Sequence, residues 1–308
     1  MISYLKRKVG ILFPHIILSS FLAINLYSQS SFFKTADTLK HKRVIGLTTL
    51  YGSVWSGSIV SLNQVWYANY PKAKFHTFND DSEWMQMDKF GHIFTAYHIS
   101  KSIASLNRWS GINKSTSAII GSTLAWSYQL TLELLDGKSA EWGFSWGDMT
   151  ANTIGAGVYL SQELLFKDQL LMLKQSYHPT HYASIRPEIL GSTTIERYFK
   201  DYNGQTYWFS ISPRSIWKNS KFPSWLLFSI GYGIDAKING KDNSYLLSNG
   251  QVLYAKRKYL MSLDIDLAKL PVKNKLIKKI LKPLNAVKIP MPTLIWQNGV
   301  CYGNAFYF

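Results

Sequence analysis

Apolar positions change their spacing twice along the chain. From Val9 to Leu26 they are nearly continuous, broken only by Pro14, His15, Ser19, Ser20 and Asn25. Lys6, Arg7 and Lys8 precede this run, and Tyr27-Ser28-Gln29-Ser30 supplies small residues after it. Charged start, apolar middle and small-residue exit predict a secretory signal over residues 1–30. The run approaches the ~20 residues needed to span a bilayer, so an uncleaved anchor is the alternative. From about Arg43 to Leu171 the spacing becomes helical. It predicts helices over 44–67, 83–107, 114–135 and from Ser145 to about Leu171, with a loop over 71–81. The small residues Gly46, Gly52, Ser53, Ser56, Gly57 and Ser58 predict close helix approach in the first of these. Asp136-Gly137 marks the end of the third. Ser145 and Asp148 have the spacing of a capping box at the start of the fourth.

Beyond Tyr177 the runs shorten and turn rich in Tyr, Trp, Phe, Ile and Val. Segments 205–212, 225–236 and 253–267 read as strands. Asn203-Gly204, Asn239-Gly240 and Asn249-Gly250 mark turns around them. Residues 259–267 alternate, with Tyr259, Met261, Leu263, Ile265 and Leu267 on one face and Leu260, Ser262, Asp264 and Asp266 on the other, as in an amphipathic antiparallel strand. Between the last strands, residues 272–282 place Leu276, Ile277, Ile280 and Leu281 at helical spacing opposite lysines. This predicts a short basic helix, either lying on an anionic surface or packed on the sheet. The expected fold is therefore α+β: a signal over 1–30, a helical bundle of about four helices over 31–180, and an antiparallel β region over 181–308. The chain ends Phe306-Tyr307-Phe308, an ending similar to the last strand of outer-membrane barrels. Only about five strand segments are legible, however, and single-chain barrels start at eight.

Composition fixes the setting. The formal net charge is +16, and removing Lys6, Arg7 and Lys8 with the signal would leave +13. Such an excess favours polyanions, which outside the cytoplasm means lipid headgroups or lipopolysaccharide. No zinc-finger or ribonucleoprotein pattern points to nucleic acid. Aromatic residues make up 15% of the chain, with 11 Trp and 19 Tyr, as in proteins with interfacial aromatic belts. The one cysteine, Cys301, permits no intramolecular disulfide and is not placed for lipid attachment after the signal. The expectation is an exported protein of the periplasm or outer membrane of a Gram-negative bacterium, in contact with membrane lipid or lipopolysaccharide.

The helical half carries one set of polar residues that an apolar bundle must accommodate. Asp88 and His92 stand at i and i+4, with Lys89 between them and Tyr97 further on. Glu133 lies among leucines near the end of the third helix, just before Asp136. Asp148 and Asn152 again stand at i and i+4, after Ser145. Gly155 and Gly157 follow, leaving room for a neighbouring helix. A carboxylate among leucines is costly unless paired, and His92, Lys89 and Asn152 are the natural partners of Glu133. Three readings remain open. The set Asp88, Lys89, His92, Glu133, Asp136, Ser145, Asp148 and Asn152 could be a hydrogen-bonded structural network. His92, Glu133, Asp148 and Asp88 could bind zinc, manganese or a polar headgroup. His92, Glu133 and Asp148 could form an acid–base centre acting on an envelope lipid or glycan. No phosphate loop or nucleophile elbow supports a particular reaction, and no cofactor is indicated. His98 reads as a helix-surface or packing residue, and His178 and His181 as solvated.

The ordered set Asp88-Lys89-x-Gly91-His92, Glu133-x-x-Asp136-Gly137 and Gly143-Phe144-Ser145-x-x-Asp148-x-x-x-Asn152-x-x-Gly155 resembles the YfiM-like family of predicted periplasmic lipoproteins (domain of unknown function 2279). It is more distantly similar to VanZ-like membrane proteins. The resemblance covers about residues 85–160 and implies an envelope location. It implies no activity.

Overall fold

The computed structural model describes residues 32, 34–63, 71–217 and 221–308; the expected signal segment lies outside them. Four long helices come first: α1 (His41–Leu62), α2 (Met87–Trp109), α3 (Lys114–Asp136) and α4 (Trp146–Leu165). Their starts follow from side-chain caps. Asn113 accepts a hydrogen bond from the Thr116 backbone N–H at α3, and Ser145 accepts one from that of Asp148 at α4, in each case satisfying a donor the helix cannot. Gly137 ends α3 with ordinary helical φ of −58°. Its small size matters for another reason, since a Cβ there would lie 2.5 Å from the Phe75 ring.

Helices α2, α3 and α4 pack closely through small residues. A Cβ on Gly121 would lie 2.5 Å from the Ser100 carbonyl, and one on Gly155 would lie 2.2 Å from that of Ile93. Gly157 has open space around it, so only one of the two glycines expected to admit a helix does so. Helix α1 also departs from expectation. Gly46, Gly52 and Gly57 have nothing within 4 Å of a Cβ position. The helix docks instead through longer side chains: the Tyr51 hydroxyl donates to Asn107 Oδ1 at 3.0 Å, and that of Tyr128 on α3 donates to Ser58 Oγ at 3.0 Å. Among the described residues no helix is long and apolar enough to cross a membrane.

The fourth helix stops at Leu165, and Leu171–Tyr177 forms strand β1, so the sheet begins inside the stretch that reads as helical. Short helices α5 (Tyr182–Ile185), α6 (Pro187–Leu190) and α7 (Thr194–Lys200) follow, then β2 (Gln205–Ile211), helix α8 (Pro213–Ile216) and β3 (Leu226–Asp235). The chain continues through β4 (Ser244–Leu246), β5 (Val252–Tyr254), β6 (Lys256–Ile265), helix α9 (Lys275–Leu284), β7 (Met291–Gln297) and β8 (Val300–Tyr307). Six strands form one antiparallel sheet in the order β1-β2-β3-β6-β7-β8, and β4 and β5 make a separate hairpin. The fold is thus a helical N-terminal region followed by an antiparallel sheet.

The sheet curls strongly. Tyr307 at the end of β8 reaches back across it, its hydroxyl 3.0 Å from Thr206 Oγ1 on β2 and its ring edge-on to Trp208. His178, expected to be solvated, packs edge-on against the same tyrosine, and burial holds its pKa below the usual histidine value. The concave face is largely polar. Lys174 and Asp264 are fully buried there, 2.9 Å apart. Ser210 bridges Ser229 at 2.7 Å and Asp264 at 3.1 Å, and Thr293 donates to Ser262 at 3.0 Å. Lys174 also donates to the Ile265 carbonyl at 2.7 Å, which helps offset the desolvation of its ammonium. Met172, Trp208, Leu260 and Ile295 fill the remaining interior. Removing one member of a buried ion pair strands the other, so Asp264→Ala should cost about 3–5 kcal/mol, whereas replacing both partners by Met and Leu should be near neutral; urea denaturation of the two variants measures the difference.

Candidate functional site: a lysine-centred carboxylate cluster

The polar residues of the helical half converge where α2, α3, α4 and the loop before α2 meet. Lys89 is the hub. Its Nζ lies 2.6 Å from Asp80 Oδ1, 2.7 Å from Asp148 Oδ1 and 3.3 Å from Asp88 Oδ2. Gly147 allows this approach, for a Cβ there would lie 2.0 Å from Asp81 Oδ1 and 3.1 Å from Lys89 Cε. Ser145 donates from its hydroxyl to Asp80 Oδ1 at 2.6 Å while capping α4. The expected capping box forms only this one limb, because the Asp148 carboxylate is turned to Lys89.

His92 lies one turn along α2. Its Nδ1 is 3.1 Å from Asn152 Oδ1, which also accepts from Gln129 Nε2 at 2.9 Å. An N–H at Nδ1 donating to that oxygen leaves Nε2 facing Asp148 Oδ1 at 3.5 Å and Asp88 Oδ1 at 3.8 Å. Glu133, almost fully buried, accepts from the Ser145 backbone N–H at 3.2 Å and stands 4.0 Å from His92 Nδ1. Of the partners expected for Glu133, His92 is thus adjacent, but Lys89 is engaged by the aspartates and Asn152 by His92. Asp136, the last residue of α3, acts on Glu133 through like-charge repulsion. Tyr97 is buried outside the cluster, and His98 is a packing residue whose Nε2 lies 2.8 Å from the Leu173 carbonyl on β1.

Two members have no legible signal in the sequence. Asp80 sits in the loop before α2, where no periodicity singles it out. Tyr202, which precedes β2, donates its hydroxyl to Asp88 Oδ1 at 2.9 Å and brings the β region into the cluster. A third feature lies between them. Trp84, Met85 and Gln86 have φ of 48°, 52° and 66°, a left-handed run that non-glycine residues adopt at a cost. It is held from outside: Trp84 N–H donates to the Gly240 carbonyl at 2.8 Å, Tyr232 hydroxyl to the Met85 carbonyl at 2.5 Å, and Gln86 Nε2 to the Asp81 carbonyl at 2.7 Å. This clamp fixes the entry of α2 and hence the positions of Asp88 and Lys89.

Four carboxyl groups here face two cationic side chains. Burial raises the pKa of Glu133 to about 7. Burial and the neighbouring Asp88 raise that of Asp148. Burial also acts against charge on Asp88, but His92, Lys89 and the Tyr202 hydroxyl outweigh it and hold that group low. Asp88 and Asp148 act on one another's ionisation, so a proton taken up here belongs to the pair. Desolvation works against the His92 imidazolium, yet Asp88, Asp148 and Glu133 together hold its pKa above the usual value. One ligand atom each from Asp88, His92 and Asp148 would fall within a metal-sized group of 4.8 Å. The Lys89 ammonium already stands among these oxygens, and its charge opposes a second cation at the same place. The geometry is that of a buried ion network that ties three helices and a loop together, with 28% of the Asp88 and 22% of the His92 side chain still accessible.

The family model described as "Predicted periplasmic lipoprotein (DUF2279)" matches residues 76–163. That span runs from the loop carrying Asp80 to the last turn of α4 and contains every helical member of the cluster. The description agrees with export to the periplasm or outer membrane of a Gram-negative bacterium. No curated protein and no solved structure gives a significant match.

The raised pKa of Glu133 makes stability depend on pH. A carboxyl that holds its proton more tightly when folded contributes stability below its unfolded pKa and loses it as pH rises through the folded value. The wild-type protein should therefore lose thermal stability between about pH 4.5 and 7, and Asp148 and His92, also raised, act in the same direction. Glu133→Gln should flatten this dependence; Tm measured across the range for both proteins checks it.

Proposed function

We propose that this is an envelope protein seated in outer-membrane lipid by the convex face of its sheet. The observation that carries the reading is the inverted polarity of that sheet. Its concave side holds buried Lys, Asp, Ser and Thr, while its convex side carries exposed rows of large apolar residues on β3, β6 and β7. Cross-strand register defines the rows: Ile230, Met261 and Leu294 in one, Phe228 and Leu263 in the next. Ile230 is 58%, Met261 53% and Leu294 50% exposed. A water-facing sheet normally shows the opposite arrangement, whereas lipid-facing strands are apolar outward and polar inward. From Tyr259 to Ile265 the apolar part of β6 spans about 20 Å at ~3.4 Å per residue, against an apolar band of about 25 Å in outer-membrane barrels. The helices cover the remaining part of this face, Phe90 and Phe94 packing on Tyr207 and Tyr232.

Helix α9 supports the same reading. Leu276, Ile277, Ile280 and Leu284 are exposed on a helix that also carries Lys278 and Lys282. A basic amphipathic helix whose apolar stripe is not buried in the protein suits the interfacial region of an anionic bilayer.

Cys301 is exposed and opposite Trp296 on the convex face. A polarity-sensitive fluorophore attached to it should shift to the blue when vesicles are added, and an unchanged spectrum would sink the reading. Met261→Lys, in the centre of the apolar rows, should weaken vesicle binding at least about tenfold, given the roughly 2–4 kcal/mol cost of a basic residue at bilayer depth.

A second reading, a lipid- or cell-wall-modifying activity centred on His92, Glu133 and Asp148, draws on one observation: Glu133 is held at about 7, within the working range of a general acid or base, beside a histidine that reaches solvent. His92→Ala and Glu133→Gln variants that keep the wild-type Tm but lose an envelope phenotype would support it; variants that only unfold would remove it.

A further inference from the structure

The apolar rows of the convex face end abruptly at one edge, and the order of residues there is graded. Beyond Ile230, Met261 and Leu294 comes a row of rings, Tyr232, Tyr259 and Trp296, paired side by side on β3, β6 and β7; Tyr259 and Trp296 are exposed, and Tyr232 is buried under Phe90. Beyond the rings comes Arg257, opposite Ile234, and then Lys256 at the start of β6. Apolar, aromatic and basic levels follow one another within nine residues of a single strand (256–264). That is the depth profile of a bilayer leaflet, with hydrocarbon, interface and headgroup in turn.

At the basic level the surface is concave. A cleft of about 370 Å³ is lined by Lys256, Arg257, Tyr259, Trp296, Gln297 and Asn298, among others. Among the described residues neither of its two cations forms an ion pair, and the Lys256 ammonium makes no hydrogen bond. Arg257 uses only Nη1, donating to the Met85 carbonyl at 3.3 Å and to the Tyr232 hydroxyl, with its charge held 5.8 Å from the centre of the Tyr232 ring. These contacts orient the guanidinium and neutralise nothing. Asp235 stands opposite Lys256 in the strand register, but its carboxylate accepts hydrogen bonds from the Tyr182 hydroxyl at 3.1 Å and Gln297 Nε2 at 3.0 Å and makes no ion pair with Lys256.

We infer that this cleft seats the phosphate of an anionic lipid headgroup, with the lipid's acyl chains lying along the apolar rows below it. The inference rests on the lipid-facing reading of the sheet and adds to it a ligand and two binding residues. Arg257 supplies an oriented planar donor for phosphate oxygens, Lys256 a mobile ammonium, and Tyr259 and Trp296 the apolar walls on which the glycerol region rests. The occupant is a lipid rather than a soluble anion because the cleft opens onto the exposed apolar surface.

The test is flotation of the full chain with two kinds of vesicle, pure phosphatidylcholine and an equal mixture with phosphatidylglycerol. Wild type should bind both and prefer the anionic one. Lys256→Gln and Arg257→Gln should each lower affinity for the anionic vesicles about fivefold, the equivalent of ~1 kcal/mol per basic residue at the surface, with binding to phosphatidylcholine unchanged. Arg257→Gln also releases Met85, so its Tm is measured alongside; Lys256→Gln touches no internal contact and carries the test if the arginine variant unfolds. Lys72→Gln with Lys74→Gln, exposed in the loop before α2 and away from the sheet's convex face, is the charge-matched control. If the cleft pair loses no more than this control pair, the attraction is diffuse and the inference fails. Displacement of wild type from anionic vesicles by millimolar inorganic phosphate, beyond that produced by chloride at equal ionic strength, would make the cleft a soluble-anion site and also overturn it. If wild type binds neither vesicle, the lipid-facing reading itself fails, a result distinct from loss of anionic preference alone.

Discussion

A buried ammonium cannot go unaccompanied, and in this protein that constraint organises the helical half around Lys89. Its charge is withdrawn from bulk water and must be met by carboxylates at hydrogen-bond distance. The three that meet it come from three places: Asp80 from a loop, Asp88 from α2 and Asp148 from α4. Satisfying one side chain therefore fixes the loop, the start of α2 and the start of α4 together. Glu133 and His92 extend the same requirement to α3. The carboxyl groups outnumber the cations, and burial answers the surplus by raising the pKa of Glu133 and Asp148 while the cations and Tyr202 hold Asp88 low.

The sheet obeys the same rule with different residues. Lys174 and Asp264 neutralise one another inside the curl, and Ser210, Ser229, Ser262 and Thr293 satisfy the surrounding polar atoms. Burying so many polar groups leaves the large apolar residues of β3, β6 and β7 outside. In water that arrangement forfeits the stabilisation that burial of Ile230, Met261 and Leu294 would give, about 1.5–3 kcal/mol for each side chain. A low-dielectric surrounding reverses the balance: the exposed rows cease to cost, and the polar interior is shielded by the sheet itself.

The helices were legible because their ends carry local chemistry. Asn113 and Ser145 announce α3 and α4 as caps, and the i, i+4 pairs Asp88–His92 and Asp148–Asn152 place four site residues on facing surfaces before any tertiary information is used. The first strand was not legible. Leu171–Tyr177 continues an apolar stretch from α4 and contains Lys174 and Gln175, whose burial follows only from partners far away in sequence, Asp264 and Tyr198. Asp80 and Tyr202 escaped for the same reason, since each joins the cluster through the fold and not through spacing. The glycines of α1 misled because small residues permit a close approach without requiring one. Strand β6 shows the sharpest limit. Its alternation defines two faces unambiguously, yet alternation is identical whether the apolar face turns inward or outward, and only the curl of the sheet decides that.

The two halves are joined at the least relaxed point of the backbone. Trp84, Met85 and Gln86 each sit in the left-handed region, and residues held there cost of order 1–3 kcal/mol apiece unless their surroundings compensate. The compensation comes almost entirely from the β region: Gly240 holds Trp84, and Tyr232 and Arg257 hold Met85. Only two residues separate Met85 from Asp88, and Tyr202 reaches Asp88 directly. The position of the carboxylate cluster is thus set from the sheet. Tyr232 and Arg257 belong at the same time to the aromatic and basic levels of the convex face. Whatever bears on that edge of the sheet bears on the clamp that places Asp88 and Lys89, so the network in the helices and the outer surface of the sheet form one mechanical unit.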